Sequence, residues 1–133
     1  MKHLLQYIIL SLLVALPFAG CRDHYPVADK LLQAETCMNE YPDSALTVLK
    51  SIGQADLQSE EHHARYALLY SQALDKNYID VTSDSLIQVA VEYYKDKDDV
   101  RSRFFSYYYL GRIYTNANEL TRATLAYMEV LFL

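Results

Sequence analysis

Apolar residues recur at helical spacing along most of the chain after residue 26. The clearest pattern lies between Phe104 and Val130, where a short polar joint, residues 115–118, separates two apolar stripes. The first stripe has the spacing i, i+3, i+4, i+7 and consists of Tyr107, Leu110, Gly111 and Tyr114. The second consists of Leu120, Ala123, Leu125, Ala126, Tyr127 and Val130. Two amphipathic helices joined by a tight turn predict an αα-hairpin.

Two more helix pairs are predicted upstream of this hairpin. Their helices cover residues 26–39, 45–52, 59–77 and 83–94. Proline suits a first helical turn, as at Pro26, and Gly53 is a typical stop. No proline follows Pro42, and the acidic and basic residues 95–99 form a solvated turn. The chain is therefore predicted to be all-α, with three antiparallel helix pairs.

Composition agrees with a single small helical domain. The chain has 133 residues, of which 22% are charged and 52% hydrophobic, as in globular proteins. Thirteen tyrosines, no tryptophan and only three glycines favour packed helices over a turn-rich β-protein. The formal net charge is −5, which argues against nucleic acid as a partner, because its binding needs a basic surface.

The N-terminus has the features of a secretory leader. Lys2 precedes an apolar run over residues 4–16, which is too short for a bilayer core that needs about 20 residues. Residues 18–21, Phe-Ala-Gly-Cys, resemble the lipobox of bacterial lipoproteins, although the family usually has Leu in place of Phe18. The alternatives are an ordinary signal peptide with a coincidental cysteine and an N-terminal membrane anchor.

The lipoprotein resemblance implies a division of the chain. Residues 1–20 would be the signal peptide, Cys21 the lipidated mature N-terminus, and residues 21–25 a short tether before a domain at 26–133. Several acyl chains on one cysteine would give stable anchoring. By the same resemblance, Arg22 after the cysteine favours the outer membrane of the cell envelope.

The hairpin at residues 104–130 also resembles one tetratricopeptide (TPR) repeat. The matching positions are Tyr107, Leu110, Gly111, Tyr114, Ala123 and Tyr127. The missing side chain of Gly111 would let the partner helix approach closely, which explains a glycine in mid-helix. The resemblance implies an α-solenoid with a concave groove lined by Phe105, Tyr108, Arg112 and Asn116. The Lys/Asn carboxylate clamp of chaperone-binding TPR proteins is absent.

Two short patterns support a repeat. Tyr66 and Leu69 recur as Tyr107 and Leu110, and residues 43–44 recur as 84–85 at the same offset. This offset exceeds the usual TPR period of about 34 residues. A longer connection near residues 77–83 would contain the residues by which the offset exceeds that period. A plain antiparallel helix bundle is the alternative.

Candidate chemistry is sparse. Adjacent His62 and His63 point about 100° apart on a helix and do not converge on a metal, so an exposed first turn with Glu61 near Arg65 is the preferred interpretation. Residues 96–107 lack the glycine and glutamate of a calcium loop. Cys37 is the only cysteine besides Cys21 and is expected to be a small buried residue. We expect no catalysis, no cofactor and no metal.

The expected function is protein–protein interaction in the cell envelope, as scaffold or sensor. The alternatives are a glycan- or solute-binding lipoprotein with a Tyr-rich groove and, less favoured, a metal-dependent enzyme. The sequence runs into an apolar end at residues 127–133, whereas solenoids need polar caps. Two hypotheses account for this end: a fragment of a longer repeat array, or self-association or partner docking through the last helix.

Overall fold

A computed structural model describes residues 26–132, and this range is helical without strands. Its α-helices are α1 (Val27–Cys37), α2 (Pro42–Lys50), α3 (Glu60–Lys76), α4 (Ser85–Tyr94), α5 (Val100–Asn116) and α6 (Leu120–Leu131), with a short 3-10 turn at Gln54–Asp56. The all-α prediction is confirmed. The predicted leader, the lipidation site Cys21 and the tether lie outside the described residues. None of the helices between residues 26 and 132 has the length and apolarity needed to cross a membrane.

Helices α3 and α5 begin with the same kind of cap. The Ser59 hydroxyl accepts a hydrogen bond from the backbone N–H of His62 at 3.1 Å. The Asp99 carboxylate accepts one from the backbone N–H of Ser102 at 3.0 Å. Each cap satisfies a backbone donor that the first helical turn leaves unpaired. Both helices are 17 residues long.

The two helices also end in the same way. Tyr78 and Asn118 follow them with positive φ values of 58° and 59°. Beyond them, the backbone N–H of Ile79 donates to the carbonyl of Leu74 at 3.0 Å, and that of Glu119 donates to Tyr114 at 2.8 Å. This bond closes a Schellman motif, in which one residue adopts the left-handed conformation.

These caps correct the predicted repeat offset by one residue. The separation in sequence between the N-caps Ser59 and Asp99 is one residue shorter than that between Tyr66 and Tyr107. The left-handed residues that end the two helices have the same separation as the caps. Tyr66 is buried against α1 and α2, whereas Tyr107 is half-buried in the cluster around α5, so the two tyrosines are not equivalent. Tyrosine recurs throughout the chain, so a short Tyr–Leu pattern does not identify equivalent positions.

The connections explain why this period is long. Helices α4 and α6 begin only 35 residues apart, at Ser85 and Leu120. Residues 77–84 form an eight-residue connection between α3 and α4, whereas residues 117–119 between α5 and α6 number three. The five additional residues make the separation of α3 and α5, from Glu60 to Val100, longer than that of α4 and α6. The prediction of a longer joint near residues 77–83 is confirmed.

Helix contacts follow a regular scheme. Each helix packs against the next one in the chain. In addition, α1 contacts α3, and α3 contacts α5. Among the described helices, α2, α4 and α6 make no comparable contacts with one another. The odd-numbered helices therefore lie side by side, and the even-numbered helices flank them.

Helix α3 contributes to two hydrophobic clusters. One cluster contains residues of α1 and α2 and takes Tyr66, Leu69 and Ala73 from α3. The other contains residues of α4, α5 and α6 and takes Ala64, Ala67 and Leu68. Helix α3 is therefore buried on two sides, as the central helix of the described chain.

Large apolar side chains are exposed on the first and last described helices. On α6 only Ala123 and Ala126 are buried, while Leu120 and Leu125 are 62% and 58% exposed. On α1, Leu32 is 55% exposed. These leucines are exposed because no described helix covers the outer side of α1 or α6.

Candidate functional site

A cleft of about 440 Å³ lies between α1, α3, the end of α4 and the start of α5. Its charged residues are Glu35, Glu61, Arg65, Lys97 and Asp99, and we refer to it as the charged cleft. Because these residues come from all three helix pairs or their connections, the cleft exists only in the assembled fold.

Glu35 in the charged cleft lies close to arginines of two other helices. Its carboxylate lies 2.6 Å from the guanidinium of Arg65 on α3 and 4.0 Å from that of Arg101 on α5. Glu61 and Arg65 both line the cleft, but the ion pair of Arg65 is with Glu35 on α1. The Glu35 and Arg65 side chains are 37% and 29% exposed, so their charges remain accessible to a ligand.

Aromatic residues line the other wall. The Lys97 ammonium lies 4.8 Å from the centre of the Tyr93 ring. Tyr94 is buried beside it, and burial raises the pKa of its hydroxyl to about 12. The hydrogen bonds that Asp99 accepts from Ser102 lower the pKa of its carboxyl below the usual value. At neutral pH the cleft therefore offers both signs of charge next to apolar rings.

The structure brings only two of the four predicted groove residues together. Arg112 donates from Nε to the Asp75 carboxylate on α3 at 2.8 Å. Asn116 donates to the carbonyl of Val81 at 3.3 Å. Arg112 and Asn116 both line a cavity of about 30 Å³, which has room for one water molecule. Both side chains tie α5 to its neighbours.

The two aromatic groove residues lie elsewhere. The Tyr108 ring packs 6.1 Å from that of Tyr127 on α6. The Phe105 ring stacks on Tyr109 at 6.1 Å, and the Arg101 guanidinium lies 5.9 Å from its centre. Of the four predicted residues, only Phe105 therefore contacts Arg101, whose guanidinium extends towards Glu35 in the charged cleft. The four side chains therefore contact different neighbours of α5, and the groove stays a prediction.

The residues of the TPR resemblance meet where α5 packs on α6. Leu110, Gly111, Tyr114 and Ala123 are buried there, and Tyr107 and Tyr127 are half-buried against the same cluster. A Cβ atom on Gly111 would lie 2.7 Å from Cδ1 and Cζ of Tyr127, so the ring rests directly on the glycine. The expected close approach of the partner helix at Gly111 is what the structure has.

A polar cluster joins the starts of α4 and α6 to the end of α5. The Tyr114 hydroxyl donates to the Asp84 carboxylate at 2.6 Å, and Arg122 donates to Asp84 at 3.1 Å and to the Tyr114 oxygen at 2.5 Å. The hydrogen bond from Tyr114 is the main cause of a lowered pKa at Asp84. The sequence did not predict this cluster, because Asp84 and Arg122 are distant along the chain and no local pattern connects them.

Within residues 26–132, no group of three or more His, Cys, Asp or Glu side chains is placed to hold a metal ion. Cys37 is half-buried, and its Sγ lies 3.6 Å from the carbonyl oxygen of Ala34. His62 and His63 lie in the first turn of α3. Comparison of the chain with protein-family models, curated proteins and solved structures finds no match.

Proposed function

We propose that this protein is a cell-envelope lipoprotein whose TPR-like helices bind another protein through the charged cleft, as a scaffold or sensor and without catalysis. One observation carries the proposal. The charged cleft is shared by α1, α3 and α5, whose side chains meet at Glu35. A site assembled from successive helix pairs suits recognition of an extended protein surface.

The arrangement of helices supports a TPR-like solenoid. Contacts between successive odd-numbered helices, without equivalents among the even ones, are typical of arrays in which the first helix of each pair lines one face. The separation of α4 and α6, which begin at Ser85 and Leu120, is close to the TPR period of about 34 residues. The longer separation of α3 and α5 contains the extended 77–84 connection.

The anchor is part of the proposal. Cys21 would carry the acyl chains, and residues 22–25 would hold the helical domain close to the membrane, which we propose is the outer membrane. Metabolic labelling with radioactive palmitate tests this. We expect the wild-type chain to be labelled and the Cys21→Ala variant to be unlabelled. Equal labelling of the two chains would contradict the anchor.

The chemistry of the charged cleft indicates how a protein would bind. Its volume of about 440 Å³ lies within the range of about 300–1,000 Å³ that ligand pockets occupy. That volume accommodates one or two side chains of a partner. Arg65 and Lys97 would pair with acidic groups of the partner, and Glu35 and Glu61 with basic ones. Exposed pairs of this kind contribute more to specificity and association rate than to affinity.

Site-specific photocrosslinking in living cells tests the cleft. A photoreactive amino acid replaces Glu61, which is exposed at the cleft, and in a matched control replaces Lys50, which is exposed on α2. We expect a crosslink to one envelope protein from position 61 only, and its loss when Lys97→Glu is added. Crosslinks that are absent, or equal at the two positions, would contradict protein binding at the cleft.

Glycan binding at the charged cleft is a second candidate function, because Tyr93 and Tyr94 line the cleft. Calorimetry with soluble envelope glycan fragments distinguishes the two. Heat of binding that is lost in Tyr93→Ala would favour the glycan, whereas loss in Tyr108→Ala would favour the α5 surface that the sequence predicted. Metal analysis tests the remaining alternative, because a purified protein without a stoichiometric ion would rule out a metal-dependent enzyme built on His62 and His63.

A further inference from the structure

The residues that α4 buries have equivalents on α6, and these lie beside an open depression. The buried residues of α4 are Ile87, Ala90, Val91 and Tyr94, and they pack in one cluster with residues of α5. When the starts of α4 and α6 are aligned, the equivalent positions are Arg122, Leu125, Ala126 and Glu129. Helix α5 covers this side of α6 only in part, so Ala126 is buried while Leu125 and Arg122 are exposed.

These four residues lie together in the structure. With Tyr107, Leu110 and Tyr114 of α5 they line an open depression of about 220 Å³, which we refer to as the α6 depression. Leu125 projects at its edge with 58% of its surface exposed, while Ala126 is 5% exposed. The depression therefore combines a projecting leucine with a small residue that leaves room beside it.

The charges of the α6 depression are arranged symmetrically about its centre. Arg122 precedes Leu125 by three residues, and Glu129 follows Ala126 by three residues. If two α6 helices pair antiparallel about a twofold axis between positions 125 and 126, Arg122 of each copy lies opposite Glu129 of the other. Leu125 of each copy then lies opposite Ala126 of the other. The surface is thus complementary to itself in charge and in size, as an isologous contact requires.

We propose that the α6 depression is a homodimer interface in which a second copy of the chain docks its own α6 antiparallel. Phe132 is 81% exposed and lies seven residues after Leu125, about 20° away around the helix. It extends the apolar part of the contact. Among the described residues Glu129 has no ion-pair partner, and Arg122 is 51% exposed beside Glu119 and Asp84. This inference adds a second surface to the proposed function and does not depend on the charged cleft.

In-cell photocrosslinking of the full chain tests the dimer. Two differently tagged copies are expressed together, each with a photoreactive amino acid in place of Leu125. The matched control carries it in place of Leu32, a leucine on α1 with a similar exposure of 55%. We expect a product that contains both tags from position 125 and none from position 32.

A charge variant tests the pairing itself. Glu129→Arg places two cations opposite each other in the antiparallel dimer, so we expect the doubly tagged product to fall at least fivefold. Lys50→Glu, a charge change of equal size on α2, serves as the control and leaves the yield unchanged. A product that joins the chain only to a different protein, no product, or a yield unaffected by Glu129→Arg would overturn the proposal. Because position 61 reports on the charged cleft, either proposal can fail alone.

Discussion

The ring of Tyr127 rests on Gly111, and no other residue type fits beneath it without movement. The Cβ of an alanine at position 111 would lie 2.7 Å from two ring atoms, well inside van der Waals contact. Helices α5 and α6 can approach this closely only because one of them lacks a side chain at the contact. The glycine's conformational cost in a helix, about 1 kcal/mol against alanine, is therefore offset by packing.

We expect Gly111→Ala to lower the free energy of unfolding by about 1–2 kcal/mol, because overpacking exceeds the gain in helix propensity. Chemical denaturation followed by circular dichroism measures this change. Gly53→Ala is the control, since a Cβ there meets only the flexible Asp56 carboxylate at 3.2 Å. If Gly111→Ala stabilises the protein, the close approach of α5 and α6 does not require a glycine at position 111. Adding Tyr127→Ala should remove most of the penalty of Gly111→Ala.

Tyr78 holds a left-handed conformation that a glycine would adopt without strain. Its side chain is 94% exposed, so its removal loses little packing. We expect Tyr78→Gly to stabilise the protein by about 1 kcal/mol, which raises the melting temperature by about 4 °C or more. The equivalent Asn118→Gly should have a smaller effect, because asparagine tolerates this conformation. Equal effects at the two positions would contradict the strain argument.

The lowered pKa of Asp84 gives a pH dependence with a definite sign. A carboxyl whose pKa is lower in the folded state stabilises the fold above its unfolded pKa of about 3.9, and this stabilisation is lost as the pH falls through the folded value. We expect Asp84→Asn to cost about 1 kcal/mol at pH 7 and little near pH 2. Melting temperatures measured across this range check it. The exposed Asp80→Asn is the control, and a difference from wild type that persists at pH 2 would contradict the cause.

The raised pKa of Tyr94 predicts that the protein loses stability at alkaline pH. Burial raises its pKa to about 12, so the stabilisation is complete below the unfolded pKa of about 10 and is lost as the pH rises from there through the folded value. We expect the ellipticity to fall between these values together with a rise in tyrosinate absorbance. Tyr94→Phe should move the transition to higher pH. A transition that does not move would show that another group, such as buried Tyr109, controls it.

The helices were predictable because their signals are local. Apolar spacing, Pro26 and Gly53 placed the elements within a few residues of the bounds that the structure has. The role of Gly111 also followed from the sequence, since a glycine in mid-helix calls for a contact that only a glycine permits. The number and pairing of helices depend on the same short-range patterns.

The proposed binding surface was not predictable from the sequence, because it depends on which side of each helix meets which neighbour. Spacing along α5 placed the four predicted groove residues on one face, but a face about 80° wide spans contacts with both α3 and α6. Glu35 and Arg65 belong to different helix pairs, and nothing local connects them. An error of one residue in the repeat offset rotates every equivalence by about 100°, which is enough to exchange buried and exposed positions.

The burial of α3 on two sides has a consequence for how the molecule opens. Loss of either flanking helix pair would expose one row of its apolar residues while the other stayed covered. Because both rows are exposed to water only when the whole described structure is lost, the amide hydrogens in the middle of α3 should be the last to exchange with deuterium. Those of α1 and α6 should exchange first. The described helices are therefore expected to exchange first in α1 and α6 and last in the middle of α3.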